Sequence, residues 1–174
     1  LDLDGTIYQT CDLRERARHA GVANDRSVGI EIAHAGTLNT SRRAQYTSDE
    51  KGTVFTVPKG VRRGNLPPGS FRLASKRTFK GTIQGRELEQ YDFTNSQYDA
   101  LAHLLAALSK IFPQVRLKAP RTANGDVVPH VLPTAQLATF KGVIGHYHVS
   151  KAKVDPGPAF QWDRVLKRAR RLAR

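Results

Sequence analysis

The chain has 174 residues, enough for one domain with a real core, and its 39% hydrophobic content excludes a disordered polymer. Against 15 Asp and Glu it carries 28 Lys and Arg, and the formal charge of +13 predicts attraction to polyanions such as nucleic acid, anionic lipid surfaces or acidic envelope polymers. One cysteine, Cys11, excludes an internal disulfide and a Cys-rich zinc site; no apolar run reaches membrane-spanning length, and no signal peptide is visible.

In chain order, Leu1 to Gln9 reads as the middle of a β-hairpin with Asp4-Gly5 as its two-residue turn. With no methionine in the chain, this predicts a further N-terminal part of the fold upstream of Leu1. Asp12 to Arg18 reads as a short helix or turn leading to His19-Ala20-Gly21. Ser27 to Ala33 alternates and predicts a strand, with Val28, Ile30 and Ile32 on one face and Gly29, Glu31 and Ala33 on the other. A carboxylate between small residues implies an open cleft above that second face.

From about 36 to 89 the chain is polar and rich in Gly, Pro, Ser and Arg, and reads as an elaborated insertion over the core of a single domain. Thr53 to Val57 is its one clear strand, with turns at Arg62-Arg63-Gly64 and Pro67-Pro68-Gly69. Thr94 to Gln97 is a capping box with Phe93 as hydrophobic staple. The helix it opens carries the stripe Tyr98, Leu101, Leu105, Leu108 and Phe112, and Pro113 ends it. Thr139 to Ile144 predicts another strand. A last helix is expected from near Pro158 to the end, with Phe160, Trp162, Val165, Leu166 and Leu172 inward and Arg164, Lys167, Arg168, Arg170, Arg171 and Arg174 outward.

The densest chemistry lies between Gly145 and Phe160, where His146, Lys153 and Asp155 share one short loop that closes on Pro156-Gly157-Pro158. Imidazole nitrogen and carboxylate oxygen are good zinc ligands, and catalytic zinc takes three protein ligands and a water. His146 and Asp155 supply two. His148 reads as facing away, and His34, His103 and His130 have no context for chemistry.

Asp4 to Gln9, His19-Ala20-Gly21, Ser27 to Glu31, Gly145-His146 and Lys153 to Pro158, in that order, resemble the type 2 zinc-dependent N-acetylmuramoyl-L-alanine amidases, the family of phage lysozyme-type amidases and peptidoglycan recognition proteins. The 36–89 stretch is not part of the common pattern. The resemblance implies an α/β fold, a central mixed sheet flanked by helices with a cleft at one sheet edge. It implies hydrolysis of the amide between N-acetylmuramic acid and L-alanine in peptidoglycan or muropeptides, and hence a location in the cell envelope. His146 and Asp155 match zinc ligands, Glu31 the residue that activates water, and Lys153 the residue that stabilises the oxyanion. His19, Tyr8 and Asn24 fall where substrate is bound.

The family's first zinc-binding histidine precedes the opening hairpin, so a third ligand is expected upstream of Leu1, from a segment or chain that completes the site. Arg18 stands where the family commonly has tryptophan. Two other functions compete: a peptidoglycan-binding module that has lost zinc, and a basic nucleic-acid-binding protein. No nucleic-acid motif accompanies the charge, and aromatic residues are not interleaved with the basic clusters. No specific nucleic-acid partner is therefore expected.

Overall fold

A computed structural model describes residues 1–57 and 68–174. The predicted turn at Arg62-Arg63-Gly64 and the start of that at Pro67 lie outside those residues. The α/β class holds, with the strands divided between two small antiparallel sheets. The first sheet has the order β1 (Tyr46–Asp49), β2 (Gly52–Val57) and β3 (Gly69–Arg72), and the second pairs β4 (Thr78–Ile83) with β5 (Arg86–Tyr91). All five strands among the described residues thus fall between 46 and 91, where one was expected. The short hairpins β1–β2 and β4–β5 explain most of this, since local turns need no long apolar runs to pair their strands. Asp49 Oδ1 accepts from the backbone N–H groups of Lys51 (2.9 Å) and Gly52 (2.9 Å) to shape the β1–β2 turn, while its carboxylate takes a fork of two bonds from Arg72. In the β4–β5 hairpin, Gln84 and Gly85 both adopt positive φ (54° and 72°), the requirement of a two-residue type I′ turn.

The main core forms where α2 (Asn95–Ile111) packs on α4 (Trp162–Leu172), two helices that follow α1 (Thr40–Arg43) and flank α3 (Thr134–Thr139) in the chain. Tyr98, Leu101, Ala102 and Leu105 meet Phe160, Trp162, Val165, Leu166 and Ala169 there. The sequence dictates the start of α2. Thr94 Oγ1 accepts from Gln97 N–H (3.0 Å), Gln97 Oε1 accepts from Thr94 N–H (3.0 Å), and Phe93 meets Tyr98 edge-on as the staple. A second cluster gathers Leu3, Phe55, Val57 and Leu73. No helix among the described residues is long and apolar enough to cross a membrane.

Several expected elements differ. The opening turn centres on Leu3-Asp4: Asp2 O accepts from Gly5 N–H, Asp2 N–H donates to Thr6 O, and Gly5 takes the left-handed position (φ 91°). Ser27–Ala33 is extended but is not a strand. Its ladder consists of two bonds to Leu1 (Leu1 N to Glu31 O, 2.8 Å; Ala33 N to Leu1 O, 2.9 Å), too few to pair its length. Ile30 and Ile32 still pack on the main core, but Val28, expected on the same face, is 40% exposed, because the segment lacks a strand pairing to carry the alternation that far. Thr139 ends helix α3 instead of opening a strand, its Oγ1–H donating back to Ala135 O (3.1 Å) within the helix. Residues 140–144 then run as coil, held by Val143 N–H on Lys118 O (2.9 Å). The last helix begins at Trp162, since Pro158 to Gln161 first bring Ala159 and Phe160 into the core; Leu172, expected inward, is 37% exposed.

Candidate functional site

Two chain segments meet at the site. His146 opens a single 3₁₀ turn, His146–His148, whose carbonyl at His146 accepts from Val149 N–H (2.9 Å) and Ser150 N–H (3.0 Å). Asp155 stands nine residues on, joined to Pro156 by a cis peptide bond. The segments are drawn together by Tyr147 N–H on Asp155 O (3.3 Å). They approach so closely at Gly145 that a Cβ there would lie 2.7 Å from Pro156 Cδ. His146 Nδ1 and Asp155 Oδ2 end 3.0 Å apart, the imidazole largely covered and the carboxylate open to solvent.

Two donors at that separation lie near the edge length of a zinc tetrahedron, about 3.3 Å for bonds of about 2.0–2.1 Å. The pair therefore fits two corners of such a site. Among the described residues no group of three or more His, Cys, Asp or Glu converges, so the pair is not completed by a third side chain there.

His148 is excluded from this centre. Its ring is fully buried, with Nδ1 accepting from Gly145 N–H (2.8 Å) and Nε2–H donating to Val128 O (2.8 Å). Burial pushes its pKa down to about 4, so it stays neutral and structural, facing away as expected.

Glu31 projects from the extended segment into solvent, and among the described residues its carboxylate makes no hydrogen bond or ion pair. The open cleft expected above it is partly filled. The His19 ring lies on Gly29, where a Cβ would come within 2.6 Å of Cγ. The ring is held by Ser27 Oγ (2.9 Å from Nε2) and Ala17 O (3.1 Å from Nδ1). Asn24 Oδ1 accepts from the N–H groups of His19 (3.0 Å) and Ala20 (2.7 Å), which fixes the His-Ala-Gly turn. Tyr8 is 66% exposed. Lys153 is exposed, its backbone N–H on Ser150 O (3.2 Å), and it has no ion-pair partner among the described residues.

Two glutamines escaped the sequence reading. Gln90, almost wholly buried, donates Nε2–H to Pro156 O (3.0 Å) and accepts from Ala159 N–H (3.1 Å), beside His34 Nδ1 (3.3 Å). Gly157, at φ 95°, leaves room for the Gln90 amide where a side chain would collide with it. Gln84 donates Nε2–H to Tyr147 O (2.7 Å) and Ser150 O (3.0 Å). The legible signal was the Gln84-Gly85 pair between two short β-prone runs, a hairpin turn by its spacing.

Compared with known families, residues 1–158 match the model of the family described as N-acetylmuramoyl-L-alanine amidase, a stretch that contains His146 and Asp155 and stops before α4. No curated protein and no solved structure matches the chain.

Proposed function

The chain belongs to the N-acetylmuramoyl-L-alanine amidase family, and from that premise we propose that it cleaves the amide between N-acetylmuramic acid and L-alanine of peptidoglycan or muropeptides in a zinc-dependent reaction at the cell envelope. The observation that carries this reading is the convergence of His146 and Asp155 in a family member. These two would hold zinc as two of its protein ligands. When bound, zinc supplies Lewis-acid polarisation of the scissile carbonyl and a lowered pKa for water.

The remaining work belongs to this chain's own residues. The Glu31 carboxylate accepts the proton from the attacking water and returns it to the leaving amine nitrogen, so that L-alanine departs as a neutral amine. The Lys153 ammonium, exposed on the ligand loop and without an ion-pair partner among the described residues, offsets the negative charge that develops on the carbonyl oxygen. Tyr8 borders the substrate, while Asn24 and His19 shape the turn against which it lies.

The test is zinc content together with muropeptide cleavage by the protein and by Glu31→Gln. Stoichiometric zinc in both, with cleavage lost in Glu31→Gln, is the expected result. A second reading within the same family is a non-catalytic peptidoglycan-binding module. Retention on cell-wall fragments without zinc or cleavage would establish that reading instead.

A further inference from the structure

One hairpin touches both halves of the centre. Gln84, in its turn, bonds two carbonyls of the segment that begins at His146, and Gln90, near the end of β5, grips Pro156 and Ala159 immediately after Asp155. Between them Gly81 of β4 faces Pro158 so closely that a Cβ would lie 3.1 Å from the proline ring. We propose that the β4–β5 hairpin is the positioning element of the His146–Asp155 pair, with Gln84 and Gln90 as its positioning residues. The inference rests on the metal-site reading for its function but not for its geometry.

The backbone of Gln84 is held in an unusual conformation. A type I′ turn favours Gly, Asn or Asp at both central positions, because other residues meet steric cost at positive φ. Gln84 nonetheless occupies the first of them at φ 54°. Its side chain accounts for the choice. Besides its two donated bonds, its Oε1 accepts from Val131 N–H (3.3 Å), and its backbone N–H donates to Pro129 O (3.0 Å). One residue thereby ties the hairpin tip to the 129–131 stretch and to the His146 turn. Gln90 does the equivalent at the other end, and the left-handed Gly157 is what admits its amide. Neither glutamine touches His146 or Asp155 itself. Each fixes the backbone from which one of them projects, the role of outer partners that orient metal ligands.

A glutamine that merely built the turn would be replaced by glycine without loss, since glycine suits positive φ better. Gln84→Gly therefore separates the two roles. With thermal melting as the check on folding, the variant is compared with the parent protein in two ways: Zn2+ affinity by chelator competition, and the imidazole 15N resonances of His146 in metal-free protein. Gln90→Met, apolar and of similar length, repeats both measurements at the other anchor. Gln84→Gly is expected to melt near the parent and to shift the His146 resonances while leaving those of exposed His103 in place. Its zinc Kd is expected to rise by about tenfold or more. Unchanged His146 resonances in both variants would overturn the proposal whether or not zinc binds. A parent protein that binds no zinc, with His146 resonances that still move in Gln84→Gly, would sink the metal reading and leave the hairpin's positioning role established.

Discussion

Tyr98 Oη donates a 2.6 Å hydrogen bond to Asp92 Oδ1, joining the first turn of α2 to a carboxylate with no solvent exposure. Gln161 Nε2–H and Phe93 N–H donate to the same carboxylate, and Tyr98 Oη also lies within 3.3 Å of Gln161 N, so one cluster binds the start of α2 to the approach of α4. Burial raises the Asp92 pKa, and the three donors oppose that shift. Tyr98→Phe keeps the ring and removes one of those donors from a buried acid. It is expected to lower stability by about 1–3 kcal/mol, read as a reduced urea midpoint with unchanged m-value.

Thr94 caps α2 and also donates Oγ1–H to Leu3 O (2.8 Å), tying the helix start to the opening turn. Thr94→Ala removes both bonds. A loss of about 1–2 kcal/mol is expected, at the upper end for a cap, whereas Thr94→Ser should recover most of it. Equal stabilities of the Ala and Ser variants would show that the hydroxyl is idle.

His34 makes stability depend on pH. Its ring packs on Phe93, its Nδ1 accepts from Gly36 N–H (2.8 Å) and its Nε2 bonds Tyr91 O (3.1 Å). Burial pushes its pKa down to about 4 from 6.5. Because the folded pKa lies below the unfolded one, the unfolded chain binds the extra proton in this window. The contribution is complete above 6.5 and is lost as pH falls toward 4. Denaturation at pH 7.5 and 5.0 should show a drop that is smaller in His34→Gln by roughly 2 kcal/mol. An identical drop in both proteins would contradict the assignment.

Lys153→Ala tests the proposed charge on the developing oxyanion. The side chain is exposed and unpaired among the described residues, so folding should be indifferent to it. Muropeptide cleavage should fall by about 10²–10³ in kcat with KM little changed. A rise in KM alone would instead make Lys153 a binding residue.

The basic face of α4 should hold anionic wall polymer. Arg164 is engaged over the Tyr98 ring (4.5 Å) and Arg168 with Asp99 (3.2 Å), while Lys167 and Arg171 are exposed and have no ion-pair partner among the described residues. Retention on sacculi is expected to weaken steadily with added salt, and Lys167→Glu with Arg171→Glu should weaken it further at low salt. Salt-independent retention would place recognition elsewhere.

The parts of the fold that were legible in the sequence are those set by local chemistry. The cap at Thr94, the staple at Phe93, the stripe of α2 and the His146–Asp155 convergence all depend on residues within about fifteen positions of one another. What the sequence hid depends on partners far along the chain. Whether Ser27–Ala33 becomes a strand is decided by what lies beside it, and the alternation of Ile30 and Ile32 fixes which way they face without saying how many backbone bonds they find. Small residues around Glu31 read as open space, yet a glycine also permits occupation, and at Gly29 the occupant is an imidazole from ten positions upstream. Gln84 and Gln90 carry no catalytic chemistry in their type. Only the folded partners 63 to 69 positions away reveal their use.

From the Gln84-Gly85 turn, the four steps of β5 from Arg86 to Gln90 give the β4–β5 hairpin a fixed reach of about 14 Å at about 3.4 Å per residue. What this stretch specifies is thus a length as much as a set of side chains. Substitution at its outward positions should be harmless, but one residue added to or taken from β5 would turn Gln90 to the opposite face and slip the anchor off Pro156. The hairpin behaves as a gauge block whose size, counted in whole residues, admits no intermediate setting.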